Sequence, residues 1–262
     1  MYYGLISSMK KTVASAYTAR TTAFIAATGI TDTTIINALN TMDLSLISAG
    51  LDTKMKALYP FVGGSASTHK YNFMDARDLD AAFRLTFNGG ITHSANGMLF
   101  NGINGWAETY LQPSTQLQLD STHASIYSRT NNALTIVDFC SSNSGGFTPV
   151  IFINFSGTTY YQVNQGSYSG IADGNSLGMR LINRTDSLNE KLYKNSSLVL
   201  SSSKSSQFLS IGTMNISRFP TGLYWSNREY AFMTIGSGLT DGEASTFYTI
   251  TQTFQTSLSR QV

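Results

Sequence analysis

From Phe61 onward the apolar residues of this chain recur with a period of two, and turn residues rather than helices separate the segments that carry the pattern. Arg84-Leu85-Thr86-Phe87, Gln116-Leu117-Gln118-Leu119, Ser125-Ile126-Tyr127-Ser128, Leu134-Thr135-Ile136-Val137 and Val150-Ile151-Phe152-Ile153-Asn154-Phe155 all have strand length and strand composition. Four Asn-Gly steps, at Asn88, Asn96, Asn101 and Asn104, fall within eighteen residues, and each supplies the positive φ angles of a tight turn. Asn143-Ser144-Gly145-Gly146, Gly166 to Gly174 and Ser196 to Ser206 read as further connections. Many short strands without intervening helices predict an antiparallel sandwich or barrel.

Residues 1–60 follow a different period. Ala16, Tyr17, Ala23, Phe24 and Ala27 are spaced for one helical face, with Gly29 as a stop. Thr31 or Asp32 then caps a second helix whose apolar set is Ile35, Ile36, Leu39, Met42 and Leu46. Gly50 breaks it, and Asp52 to Tyr59 reads as one more short turn before Pro60. The chain therefore divides into a helical segment, 1–60, and a β domain, 61–262. At the far end, Tyr230 to Ile235 is a strand, and Thr240-Asp241-Gly242-Glu243 is a capping box. Ala244, Phe247, Tyr248, Thr251, Phe254 and Leu258 then form one face of a closing helix.

Composition narrows the function. Of 262 residues only 12% are charged, about half the usual share, and the net charge is +2. Such a chain has no field to hold a polyanion, which argues against nucleic-acid binding. No apolar run approaches the ~20 residues of a membrane span, and the Ala-rich stretch after Lys10-Lys11 is interrupted by Arg20 and threonines, unlike a signal peptide. The single cysteine, Cys140, excludes an intramolecular disulfide framework and reads as a small strand hydrophobe.

The closing arrangement of hydrophobic strand, Gly-x-Gly, Leu-Thr-Asp-x-Glu and a helix carrying Phe-Tyr resembles the end of concanavalin A-like and laminin-G-like jelly rolls. Leu188 to Ser196 is similar to a hairpin of those domains, with Ser196 where glycine is usual. More specifically, Tyr59-Pro60-Phe61-Val62-Gly63-Gly64, Thr68 to Asn72, Asp78 to Arg84, Thr92 to Gly97 and the terminal Thr253 to Val262 resemble a family of tailed-bacteriophage virion proteins that includes those of gut phages of Bacteroidetes. The likeness covers roughly residues 50 to 262. It implies a non-enzymatic jelly roll assembled in the bacterial cytoplasm and displayed on a virion, as a head or tail fibre, decoration or receptor-contacting component. The N-terminal helices fall outside the likeness; residues 1–60 read either as a small helical subdomain packed on the main body or as the segment that attaches the chain to other virion proteins, and fibre analogy suggests a homo-oligomer, taken as a trimer.

A sandwich can also carry catalysis. Glycoside hydrolysis needs two carboxylates facing across a cleft, and the alternating pair Asp78 and Asp80 is the candidate, although its place before an apolar strand suggests turn or strand-start hydrogen bonding instead. His69, His93 and His123 stand 24 and 30 residues apart, without the close pair usual in zinc sites. No nucleophile elbow, phosphate loop or dinucleotide fingerprint is present, so no catalytic residue, metal or cofactor is assigned. Asp173-Gly174-Asn175 is the best local calcium candidate, yet a plain Asp-Gly turn explains it more simply. Aromatics beside amides remain: Asn104, Trp106 and Tyr110 on one side, Tyr224, Trp225 and Asn227 on the other. A sugar stacks its apolar face on such rings while the amides bind its hydroxyls, so these six are the candidate glycan contacts; the alternative is that the aromatics fill the sandwich core or a subunit interface. The alternatives are a free carbohydrate-binding module and a polysaccharide-degrading hydrolase.

Overall fold

The computed structural model describes residues 17–141 and 148–262; Ala16 and the Asn143-Ser144-Gly145-Gly146 connection lie outside the described residues. Two helices come first, α1 (Ala19–Thr28) and α2 (Thr33–Ser48). Gly29 ends α1 in the left-handed conformation, which a residue without Cβ adopts at no steric cost. Of the two caps considered for α2, Asp32 is the one used; its carboxylate accepts the Thr34 and Ile35 amide protons.

The chain then turns to strands: β1 (Met55–Tyr59), a helical turn α3 (Ala66–His69), β2 (Thr86–Asn88), β3 (Ile91–Ser94), β4 (Gly97–Phe100) and β5 (Trp106–Glu108). After α4 (Pro113–Gln116) come β6 (Thr122–Ser128), β7 (Phe139–Ser141), β8 (Val150–Phe155), β9 (Thr158–Gln162) and β10 (Ser169–Ala172). The remaining strands are β11 (Gly178–Arg184), β12 (Asn189–Lys194), β13 (Ser197–Ser203), β14 (Met214–Ile216) and β15 (Glu229–Gly236), before α5 (Asp241–Ser257).

Among the described residues these strands form two antiparallel sheets, one ordered β13-β12-β11-β6-β15-β4-β3 with β1 also on β15, the other β10-β9-β8-β7-β14-β5-β2. The protein is thus mainly β, a two-sheet sandwich with helices at its start and its end. Alternation along the strands decides what each face meets. Ile126, Met233 and Ile235 of the first sheet pack against Ile151, Ile153 and Met214 of the second in the inter-sheet core. The opposite face of the first sheet, through Tyr127, Met179, Leu181 and Phe232, lies under Leu39, Met42 and Leu46 of α2 and Phe247 and Phe254 of α5. Phe247 is wholly buried there, so its truncation to alanine would cost about 3–5 kcal/mol. Among the described residues no helix lies over the outer face of the second sheet, which carries the small cluster Val137, Cys140, Val150 and Phe152. Cys140 sits inside β7 as the sequence predicts, its thiol donating to the Arg218 carbonyl at 3.1 Å.

Three local expectations need correction. Residues 55–59, expected as a turn inside the helical segment, are β1 and pair with β15, because Met55, Ala57, Leu58 and Tyr59 find apolar partners in both cores. Gln116 to Leu119 is no strand: Pro113 starts α4, whose Gln116 closes it and whose C-cap amide, at Leu117, bonds back to Pro113. Leu134 to Val137 is irregular; Val137 gives its amide to the Tyr224 carbonyl at 2.8 Å instead of to a neighbouring strand. Alternation alone does not separate a half-buried loop from a strand.

Candidate functional site: an aromatic groove on the open sheet face

β8 builds the floor of the site. Ile151 and Ile153 point into the inter-sheet core, and Phe152, between them, points outward. Two positions on, Asn154 takes φ 46°, and the register with β9 shifts between Phe152 and Phe155. This bulge returns Phe155 to the outer face, where its ring meets that of Phe152 edge-on at 5.5 Å between centroids. In the ladder Phe152 stands opposite Tyr160 of β9, and Tyr160 opposite Gly170 of β10. A Cβ at position 170 would lie 2.7 Å from the Tyr160 ring, so glycine lets that ring settle against β10. Tyr168, just before β10, approaches Phe152 edge-on at 5.5 Å.

The connection between β14 and β15 closes the far side with Phe219 and Tyr224, whose rings meet at 5.7 Å and 77°. Tyr224 also faces Phe155 at 5.9 Å, and Phe219 faces Phe152 at 5.9 Å. The six rings enclose a groove of about 350 Å³. Phe152 is its buried floor, while Tyr160, Tyr168 and Tyr224 are 37%, 42% and 38% exposed at its rim. Among the described residues no charged side chain lines it. Burial, with lesser contributions from Cys140 and Tyr224, pushes the Tyr168 phenol up to about 12, so it stays a neutral hydroxyl.

The structure scatters the six residues proposed from sequence. Tyr224 belongs to the groove. Asn104 is exposed, and its Oδ1 accepts from the Gly90 amide at 3.1 Å and the Asn101 side chain at 2.9 Å, holding its own turn together. Trp106, on β5, lies under the Arg218 guanidinium at 4.3 Å. Tyr110 hydrogen-bonds the Thr86 hydroxyl at 2.8 Å, and Asn227 accepts from the Asn132 side chain at 2.8 Å. Trp225 is half-buried. The two clusters do meet at one point, where the Gly102 amide donates to the Ser226 carbonyl at 2.9 Å. Phe152, Phe155, Tyr160, Tyr168 and Phe219 were not singled out from sequence.

The other chemistry weighed from sequence finds structural uses. Lys70 lies 2.5 Å and Arg84 2.9 Å from Asp78, and Arg84 2.9 Å from Asp80. Lys70 and Arg84 hold the Asp78 carboxyl below its usual range, the reverse of what a glycosidase proton donor needs. Asp173 is met by Arg180 at 2.7 Å and Lys194 at 2.6 Å, so its negative charge is already matched by two cations. His69 and His93 come together, Nδ1 to Nδ1 at 3.0 Å, while His123 faces Ser237 and Thr234 elsewhere. No group of three or more His, Cys, Asp or Glu fit to hold a metal occurs among the described residues.

No protein family and no curated protein matches the sequence. Solved structures do. The chain is similar to the binding domain of botulinum neurotoxin serotype G, with TM-score 0.51 and 13% identity over 75% of this chain and 51% of that one. It is similar to the serotype D binding domain, with TM-score 0.52 and 11% identity over 76% and 52%. It also matches the receptor-binding domain of botulinum neurotoxin D, with TM-score 0.52 and 10% identity over 76% and 52%. The likeness is one of fold. The chain spans about half the length of the structures it matches, and those neighbours are β-rich binding domains rather than catalytic ones.

Proposed function

We propose that this chain is a non-enzymatic binding module of a bacteriophage virion, a fibre, decoration or receptor-contacting component, and that its aromatic groove contacts a glycan of the host surface. One observation carries the binding role: three half-exposed tyrosines and a phenylalanine floor stand on an outer sheet face that no helix covers among the described residues. Contiguous exposed aromatics on a folded domain mark interaction sites. Neurotoxin domains of the same fold are receptor-binding domains, which supports binding over catalysis. The virion role rests on the resemblance in the residues between Tyr59 and Gly97 and at the chain end. Fibre components act through repeated weak contacts, for which one shallow groove per copy is sufficient.

Imaging of the particle with a labelled antibody against this chain tests the virion role; regular decoration of head or tail is expected, and unlabelled particles would overturn it. Sizing of the purified protein separates a virion oligomer, expected as a trimer, from a free lectin, expected as a monomer or dimer. Release of reducing sugar from host capsule would overturn the non-enzymatic reading.

A further inference from the structure

The groove has a chemistry that narrows its ligand, and this step rests on the glycan reading above. We infer that it takes one or two residues of an uncharged sugar, stacked by a C–H face on Phe155, Tyr160 and Tyr224, and that it selects against sialylated and uronic-acid glycans. The lining consists of six aromatic rings, three of them carrying phenol hydroxyls, and among the described residues it has neither a cation to attract a carboxylate nor a carboxylate to repel one. Taking a charged group out of water into such a site, with no partner of opposite sign, is unfavourable. A hydrocarbon ligand fits the floor but not the rim, because it would strip water from the Tyr160, Tyr168 and Tyr224 hydroxyls and return no hydrogen bond. A neutral pyranose meets both demands: its axial C–H groups cover rings, and its hydroxyls both donate to and accept from neutral phenols.

Size and surroundings agree with this occupant. About 350 Å³ sits at the small end of ligand sites, enough for a sugar unit or two rather than a long chain. At the Phe155 end, Ser156 follows the ring in sequence and its exposed hydroxyl pairs with that of Thr135 at 3.2 Å, two residues before the Val137 amide that holds the Tyr224 carbonyl. The rings themselves are fixed before any ligand arrives, through the edge-on contacts of Phe155 with Phe152, Tyr160 and Tyr224. A preset platform spares the ordering cost that weakens shallow sites.

The full-length chain is titrated with lactose, cellobiose and maltose, with sialyllactose and oligogalacturonate, and with a polyproline peptide, read by saturation-transfer NMR and calorimetry. At least one neutral sugar is expected to bind, tenfold or more tighter than either acidic one. Tyr160→Ala and Tyr224→Ala should each weaken it tenfold or more with unchanged melting, and Leu188→Ala, on an exposed hairpin, should leave it unaltered. Gly170→Ala, which displaces the Tyr160 ring, should weaken binding as well. Tighter binding of an acidic sugar, lost in Tyr160→Ala, would overturn the neutral class and keep the glycan groove. Sugar binding indifferent to both tyrosine variants would overturn the groove and keep the glycan reading. A peptide displaced by Tyr160→Ala with no sugar bound would overturn both.

Discussion

The Arg228 guanidinium lies 2.8 Å from the Asp138 carboxylate with both side chains wholly out of solvent. The Tyr230 hydroxyl donates to the same carboxylate at 2.6 Å, and the Ile153 amide donates to its other oxygen at 2.6 Å. Through Tyr230 and Ile153 the Asp138 carboxylate thus joins β15 of one sheet to β8 of the other. It also stands beside the functional face, since Val137, next to Asp138, holds the Tyr224 carbonyl.

Unpairing this arginine should be costly. Asp138→Ala is expected to lower stability by about 3–5 kcal/mol in urea titration, because it leaves a buried cation without its counter-charge. The double variant Asp138→Leu with Arg228→Met should cost less than Asp138→Ala alone. Equal or additive losses would show that the pair contributes by packing rather than by charge.

Acid should destabilise the fold through its buried histidines before Asp78 and Asp241 titrate. His123 is fully buried, its Nδ1 donating to the Ser237 carbonyl at 2.5 Å, and burial lowers its pKa from 6.5 to about 4. Burial also takes His69 down to about 3, with His93 and Arg260 adding to the effect. The unfolded chain therefore binds more protons below pH 6.5, so this stability is complete above that pH and is lost as pH falls through the folded values. For His123 alone the difference is about 3 kcal/mol at 1.36 kcal/mol per pH unit. Melting temperature should fall between pH 6.5 and 4, and His123→Gln should flatten that slope. The exposed carboxylates Asp78 and Asp241, held low by Lys70 and Lys191, titrate in a lower window.

Gly97 should tolerate no side chain. Its φ is 132°, and a Cβ there would lie 2.2 Å from the Tyr230 carbonyl oxygen. Gly97→Ala is expected to cost more than about 3 kcal/mol, since backbone of β15 would have to move as well as the turn. Gly157→Ala is the comparison, with φ 94° but nothing within 4 Å of the new atom, and should cost about 1 kcal/mol. Similar losses at both sites, read from chemical denaturation, would argue that only the dihedral matters.

The cap of α5 gives a smaller effect. Thr240 accepts the Glu243 amide proton while the Glu243 carboxylate accepts the Thr240 amide at 2.7 Å and meets Lys54 at 2.6 Å. Thr240→Ala should lower stability by about 1 kcal/mol, checked by denaturant midpoint with unchanged slope.

The same capping box shows how much of the fold could be read without coordinates. Thr240 and Glu243 are close in sequence, so the pattern and the geometry coincide, and the face Ala244, Phe247, Thr251 and Phe254 is buried as its period implies. The Asn-Gly steps at Asn88 and Asn96 likewise lie at the β2–β3 and β3–β4 turns. The groove was hidden for the opposite reason. Phe152 and Phe155 are three apart, and strict alternation sets them on opposite faces; only the bulge at Asn154 brings them together, and a period of two has no signal for it. Tyr224 was found because it stands beside a tryptophan, while its true partners Phe155 and Phe219 come from chain distance and sheet register. His69 and His93, 24 residues apart, met for a similar reason: α3 and β3 are neighbours only in space.

Because the helices among the described residues cover one of the two sheets and leave the other bare, the sandwich has a back and a front. A neighbour fastened to α2 or α5 would leave the tyrosines turned toward solvent, and copies arrayed by that back would all present the same face. Orientation would then come from the layer order of the sandwich itself, without a hinge or a linker to aim it.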